Sequence, residues 1–556
     1  MVWAPIWQRV YPEGVRWDAN LDCYTLGELL DRTAKRAPDN VMFEFRDCNV
    51  TYRDADRIAT QFAAGLLTLG IRPGDRIALY MPNTPYHTIT LLGIAKAGAC
   101  TVHLTPLDTR RELAHKLWDS GARILVTIDN EAMLANADAL HEERLIDFVI
   151  VGDDEAWLPE GDSRHRSTVA AWRILFQNLL DRAANSEVNW RSPELDDLAI
   201  LQYTGGTTGS PKGAMLSHRN ISTAISSMNA WLNVQPFSDP GNDRHICVLP
   251  LFHVFALIAL VLRAIANGDR IFLHARFEVE AVLNDIEKKR ATFFFAVPTM
   301  LIALCNDPSS ASRDFSSLRL CAAGGAALPT DVARRIEEIT GNQIAVGWGM
   351  TETASVGTIT LAKGANRTGS VGLPVPGVYL DVVDLNDPRK LLPAGVVGEL
   401  RVGGRNVTAG YWNCERENAQ AFIDGMLLTG DIGYIDEHGF VFIVDRKKDM
   451  IISGGFNVYP RAIEDAIYEH PDVEETLVVG IPNEYRGEAA KAFVKLRAGA
   501  VPFSLEELRG FLGDKIGRQA LPTALEFRDA MPRTAVGKFS KKELRSTAQD
   551  KPTNRE

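Results

Sequence analysis

Short apolar runs alternate with longer amphipathic ones through the first third of the chain. RIALYMP after Gly74, ARILVTI and LIDFVIVG read as buried strands, and TITLLGIAKAGA reads as a helix between them. A second set begins after Asp196, with DLAILQYT, HICVLPLF, ATFFFAVPT and LRLCAAGG. Strands that alternate with helices predict mostly parallel sheets, so the pattern implies an α/β fold with two doubly wound lobes. From about Gly369 the runs shorten and become punctuated by Gly and Pro. VYLDVVDL, GELRVGG and GFVFIVD predict an antiparallel, barrel-like piece. After DRKKD the pattern restarts with YPRAIEDAIYEHP, where Pro460 suits a first helical turn, Ile463, Ala466 and Ile467 share one face, and Pro471 ends the helix. TLVVGIP, KAFVKL, SLEELRGFLGDKI and ALEFRDA complete a small C-terminal α+β domain.

Composition changes this picture little. The 556 residues exceed one hydrophobic core and suggest two to four domains or subdomains. Apolar residues at 46% and charged residues at 24% describe a globular chain rather than a disordered or fibrous one. A net charge of -11 argues against nucleic acid as a partner, because a basic face is absent from the bulk composition. The seven cysteines, among them Cys23, Cys100, Cys247 and Cys414, form no CxxC pair and fit a reduced, cytoplasmic setting. The N-terminal MVWAPIWQRVYPEG lacks a secretory pattern. The longest apolar stretch, Val254 to Ala266, carries Arg263 and falls short of the ~20 residues a transmembrane helix needs. Peripheral contact with the inner face of the membrane is left open, as is the choice between monomer and homodimer.

Candidate chemistry is concentrated in one segment. The strand-like LAILQY runs into TGGTTGSPKG, Thr204 to Gly213, which holds three threonines, four glycines and one lysine in ten residues. Glycine lets backbone N–H groups approach phosphate oxygens, hydroxyls add donors, and Lys212 supplies a point charge. A Walker A loop places Lys directly after Gly and follows it with Ser or Thr, whereas Lys212 follows Pro211 and precedes Gly213.

TGGTTGSPKG resembles the phosphate loop of the adenylate-forming superfamily, which includes acyl-CoA synthetases, peptide-synthetase adenylation domains and beetle luciferases. GWGMTETAS (Gly347 to Ser355) is similar to that family's adenine and magnesium motif, and LLTGD (Leu427 to Asp431) to its ribose motif. VDRKKDMIISGGFNVYP resembles the hinge motif, and PRTAVGKF (Pro532 to Phe539) the catalytic-lysine loop. The motifs follow the family's order over nearly the whole chain.

The resemblance implies a large nucleotide- and acyl-binding domain over residues 1–446 and a small mobile domain over 447–556, pivoting at Lys448. Thr204, Gly205, Gly206, Thr207, Thr208 and Gly209 would hold the ATP phosphates with Lys212. Gly347, Trp348, Gly349 and Met350 would flank adenine, as would Gly325, Ala326 and Ala327. Thr351 would donate to the α-phosphate, and Glu352, with Thr208, would hold magnesium. Asp431 would accept the ribose hydroxyls, with Arg446 donating to sugar or phosphate. Lys538 would be the catalytic lysine, contacting carboxylate and α-phosphate during adenylation.

Less local chemistry marks the remaining sites. PLFHVFAL resembles the aromatic gate motif, which puts His253, Val254 and Leu257 at the acyl pocket with Val297, Thr299, Gly324 and Ser355. Gly454 and Gly455 would approach the pantetheine arm of CoA after domain rotation. WQRVYPEGV, DFSSLRL and the hinge segment look most like bacterial long-chain fatty-acid CoA ligases. Dicarboxylic and aryl acids stay open as substrates, since an apolar pocket separates homologous acids by only ~1 kcal/mol per methylene. A carrier-protein or oxygen acceptor and a non-catalytic nucleotide binder are the rival readings. The expected reaction joins a carboxylic acid to CoA at the expense of ATP, with Mg2+ as cofactor.

Overall fold

The computed structural model describes residues 5–157, 170–183, 192–204, 211–233, 238–361, 366–534 and 537–549. Two large sheets share one hydrophobic core that continues as far as Val441. The first has seven strands in the order Arg173–Leu175, Phe148–Gly152, Ile124–Ile128, Arg76–Tyr80, Cys100–Leu104, Leu198–Thr204 and Lys212–Ser217. All pairs are parallel except the last. The apolar runs in the sequence form the central strands because parallel strands are covered on both faces and tolerate little polarity.

The second sheet has nine strands. Its parallel centre runs through Ala345–Trp348, Leu320–Ala323, Phe293–Ala296, Arg244–Cys247, Arg270–Leu273 and Val41–Phe45. HICVLPLF yields only the short strand Arg244–Cys247. Beyond it, Phe255–Leu262 winds as a π-helix and Arg263–Asn267 as an α-helix. Runs of π-helix are rare and tend to occur where function reshapes a helix.

Five strands between Val378 and Arg446 make a third, antiparallel sheet, with Val378–Val383, Gly398–Gly404, Met426–Ile435 and Val441–Arg446 as its long members. Among the described residues no pairing joins its outer strands, so the barrel-like piece is an open sheet. Beyond Asp449 a separate core forms from Ile451, Ile463, Ile467, Val478, Ala492 and Leu508. Its mixed sheet is dominated by the antiparallel pair Val473–Asn483 and Gly487–Leu496, with Ala524–Phe527 added in parallel. The helix Pro460–Tyr468 opens with Pro at its first turn and buries Ile463, Ala466 and Ile467, the face its spacing predicts. Among the described residues no helix is long and apolar enough to cross a membrane.

Candidate active site

The C-terminal edges of both parallel sheets open on one cavity of about 680 Å3. Open α/β sheets bind ligands at that edge because loops leaving the strand ends diverge there. Thr204 ends one strand and pairs with Lys212 across the loop, and its hydroxyl donates to the Lys212 carbonyl at 3.4 Å. The phosphate loop is therefore a connection between two paired strands. Gly205, Gly206, Thr207, Thr208 and Gly209 lie outside the described residues. The Lys212 ammonium sits 5.7 Å from the centre of the Tyr411 ring and 3.7 Å from a Glu417 carboxylate oxygen.

Gly347, Trp348, Gly349, Met350, Thr351 and Glu352 all line the cavity. The turn carrying Glu352 is strained. Ala354 and Ser355 both hold left-handed backbone conformations, with φ of 47° and 85°. A Cβ on Gly349 would fall 2.0 Å from the Ser355 carbonyl oxygen, so only glycine permits this fold-back. Asn406 holds the turn from behind, donating to the Thr353 and Val356 carbonyls at 2.9 and 2.8 Å. Glu352 is buried and accepts a 2.7 Å hydrogen bond from the Tyr411 hydroxyl, and no described ion pair involves it. A buried carboxylate facing a cavity without a cationic partner suits a hard divalent cation.

Asp431 and Arg446 are directly opposite one another on paired strands, which brings Arg446 Nε to 2.6 Å from Asp431 Oδ1. Trp348 Nε1–H donates to the other oxygen at 2.8 Å. Asp431 does not itself line the cavity, whereas Arg446 and Trp348 do. Burial pushes its carboxyl pKa up, against the pull of Arg446. Each oxygen of Asp431, the residue expected to take ribose, thus has one partner that faces the cavity and keeps acceptor capacity for a further donor.

Lys538 comes from the C-terminal domain and reaches into the same cavity. It passes so close to Gly325 that a Cβ there would lie 2.6 Å from its Cε and 2.9 Å from its Nζ. Burial, and then the Arg446 charge, push its ammonium pKa down to about 8. His253 lines the cavity, and its Nδ1 accepts the Phe255 amide at 3.2 Å. Desolvation, aided by Lys538, holds its pKa at about 3, so the ring is neutral.

From His253 the cavity continues as an apolar slot along the second sheet. Val254, Gly324 and Ser355, three of the residues the sequence reading assigns to the acyl pocket, line the cavity together with Phe255. Leu320 and Ala345 open their strands and so line the part of the slot farthest from the C-terminal edge, with Leu232 also in the lining. Leu257 is fully buried and does not line the cavity. Val297 and Thr299 also miss it. Thr299 instead donates to the Gly537 carbonyl at 2.8 Å, and Val297 sits beneath Gly325 and Gly537. Ala326 and Ala327 are exposed outside the cavity, because the chain turns away after Gly325 with a φ of 80°. Lys448 lines the cavity, and Gly454 and Gly455 form an exposed hairpin turn away from it.

The AMP-binding enzyme profile matches residues 30–412, and that of the AMP-binding enzyme C-terminal domain matches residues 462–538. The chain belongs to the AMP-binding enzyme family. A long-chain-fatty-acid CoA ligase of Bacillus subtilis (strain 168) is 34% identical over 553 residues, spanning 97% of each chain. A feruloyl-CoA synthase of an Amycolatopsis species is 36% identical over 527 residues, 94% of this chain and 98% of its own. Among solved structures, ATP-bound MatB from Rhodopseudomonas palustris superposes with a TM-score of 0.83 at 29% identity, covering 95% of this chain and 99% of MatB. In an AMP-binding enzyme, the residues that the motifs alone do not reveal are Tyr411 and Asn406. Only their spatial relation to the Glu352 turn makes them visible, and no local spacing announces it.

Proposed function

We propose that this chain is an ATP-dependent acyl-CoA ligase that activates a linear fatty acid of medium to long chain. The observation that carries this reading is one cavity with a polar end at Thr351, Glu352 and Arg446, an apolar end at Leu232, Leu320 and Ala345, and Lys538 between them. A carboxylate at that junction attacks the ATP α-phosphorus. Its oxygen forms the new P–O bond, the α–β bridging bond breaks, and pyrophosphate leaves. Lys538 and Thr351 face the charge that accumulates. Glu352, supported by Tyr411, would hold Mg2+, which would supply charge neutralisation there.

In the second step the CoA sulfur attacks the acyl carbonyl carbon, AMP leaves with the C–O electron pair, and the thiol proton passes to solvent. We take 1–446 and 447–556 as the moving units, hinged at Lys448, with the Gly454–Gly455 turn meeting pantetheine after rotation.

The slot supports a linear tail. Its length from Gly324 to Leu320 is four strand residues, roughly 13 Å, the reach of about ten extended carbons. The small side chains of Ala322, Gly324 and Ala345 leave room along it for a tail. The similarity to long-chain-fatty-acid CoA ligases agrees with this reading. A panel of linear, dicarboxylic and aryl acids assayed for CoA-dependent AMP release tests it. Linear monocarboxylic acids of about eight to fourteen carbons should give the highest kcat/KM. Preference for aryl or dicarboxylic acids, or pyrophosphate release that CoA never completes, would overturn it.

A further inference from the structure

Thr299 lies at the start of the helix Pro298–Asn306, immediately after the strand Phe293–Ala296. It is 8% exposed and lines no part of the acyl slot. Its hydroxyl donates to the backbone carbonyl of Gly537, 238 residues away in the C-terminal domain, at 2.8 Å. Among the described residues this is the one hydrogen bond that joins the turn around Lys538 to the large domain.

Among the described residues the other hydrogen bonds of Thr534, Gly537 and Lys538 stay within the turn. Thr534 N–H donates to the Lys538 carbonyl at 2.7 Å, Gly537 N–H donates to the Thr534 carbonyl at 2.9 Å, and Lys538 N–H to the Thr534 hydroxyl at 3.2 Å. Gly537 has a φ of 77° and sits against Val297 and Thr299, so close that an added Cβ would touch both side chains, at 3.9 and 3.7 Å. One residue further, Lys538 crosses Gly325 into the cavity. Thr299 therefore grips the backbone next to the lysine rather than the lysine itself.

We propose that Thr299 is a positioning residue that seats the lysine turn for adenylation and thereby biases the domain equilibrium toward the first half-reaction. The proposal rests on the two-step ligase reading above. The bond exists only while Lys538 occupies the cavity, because any rotation that withdraws Lys538 carries Gly537 away from Thr299. Its free energy is therefore a difference between the two poses, which is what a conformational bias requires. A side chain lining the acyl slot would act equally in both steps.

The test compares Thr299→Val, which keeps the shape and removes the hydroxyl, with Thr299→Ser, which keeps the hydroxyl. Each is assayed for ATP–pyrophosphate exchange and, separately, for acyl-CoA formation from supplied acyl-AMP and CoA, using an acid the unmodified enzyme activates. Losing one such hydrogen bond and leaving its carbonyl unpaired should lower kcat for exchange roughly three- to thirtyfold in Thr299→Val. The thioester step should be unchanged or faster, KM for the acid and the chain-length profile should stay put, and Thr299→Ser should recover most of the loss. Equal loss in both half-reactions, a shifted chain-length profile, or no loss in exchange would each overturn the proposal. If the unmodified enzyme activates no acid, the ligase reading fails instead.

Discussion

The two ends of the cavity are built by opposite means. At the nucleotide end, a few side chains from distant segments converge through directional bonds: Trp348 and Arg446 on Asp431, Tyr411 on Glu352, and Asn406 on the Glu352 turn. At the other end, proposed for the acyl chain, the lining is mostly apolar, and the slot is the gap left between a π-helix, a helix and three strands. Removing one donor from the first end leaves a buried charge or carbonyl unmatched, which is costly. Removing one methylene from the second changes a volume, which is cheaper. The polar end should therefore fail abruptly under mutation and the apolar end should drift.

Lys538 gives the largest expected effect. It is the cation that the C-terminal domain delivers to the junction, and Lys538→Ala removes charge where charge develops. Pyrophosphate exchange should fall about a hundred- to a thousandfold, while acyl-CoA formation from supplied acyl-AMP stays largely intact. Single-turnover assays of each half-reaction check this. Equal loss in both would show that Lys538 serves the fold or the pocket and not the first step.

The same contrast explains what is legible in the sequence. Hydrogen-bonding chemistry needs particular residue types close together, so TGGTTGSPKG, GWGMTET, LLTGD and PRTAVGKF stand out in the linear chain. Strand positions are equally readable because buried parallel strands are nearly all apolar. The acyl end leaves no such trace. Leu257 and Ala259 occur in one run of apolar residues, yet only Ala259 faces the slot, because residues two apart point to opposite sides of a helix and a run that is apolar all round does not say which side is which. AVPTM puts Thr299 at the acyl pocket when read by sequence, since the Gly537 contact spans 238 residues and no local pattern encodes it. Tyr411 escapes such a reading for the same reason, being 59 residues from Glu352.

A second way to sharpen the comparison is pH, which should act on the polar end alone. The Lys538 ammonium lies at about 8 when the turn is seated, lowered from an ordinary 10.5 first by burial and then by Arg446. A lowered pKa means that the seated state binds the proton more weakly than the withdrawn one. Below about 8 both states are protonated and seating carries its full desolvation cost. Between about 8 and 10.5 that cost is relieved, so the ratio of seated to withdrawn ligand-free enzyme should rise with pH, by up to about tenfold per pH unit. ATP brings negative charge to Lys538 and should flatten the dependence. Fluorescence transfer between labels on the two domains measures it, and a seated fraction that falls with pH would contradict the assignment. His253, held at about 3, should add no step in this alkaline window.

The smallest expected effect is at the far end of the slot. Ala345 opens the strand Ala345–Trp348, lies beside Ala322 on the neighbouring strand, and is 2% exposed at the slot's floor. In Ala345→Leu, three added carbons fill space that the end of the tail would occupy. Each methylene denied its place forfeits ~1 kcal/mol, roughly fivefold in kcat/KM, so the preferred acid should shorten by about two or three carbons. Overpacking a core position also costs about 1–3 kcal/mol of stability, so the variant is compared with the unmodified enzyme well below its melting temperature. KM for ATP should not move, because Ala345 sits at the opposite end of its strand from Trp348. A chain-length profile that stays fixed while KM for ATP rises would mean that Ala345 communicates with the nucleotide end, and the division between a bonded end and a shaped end would not hold.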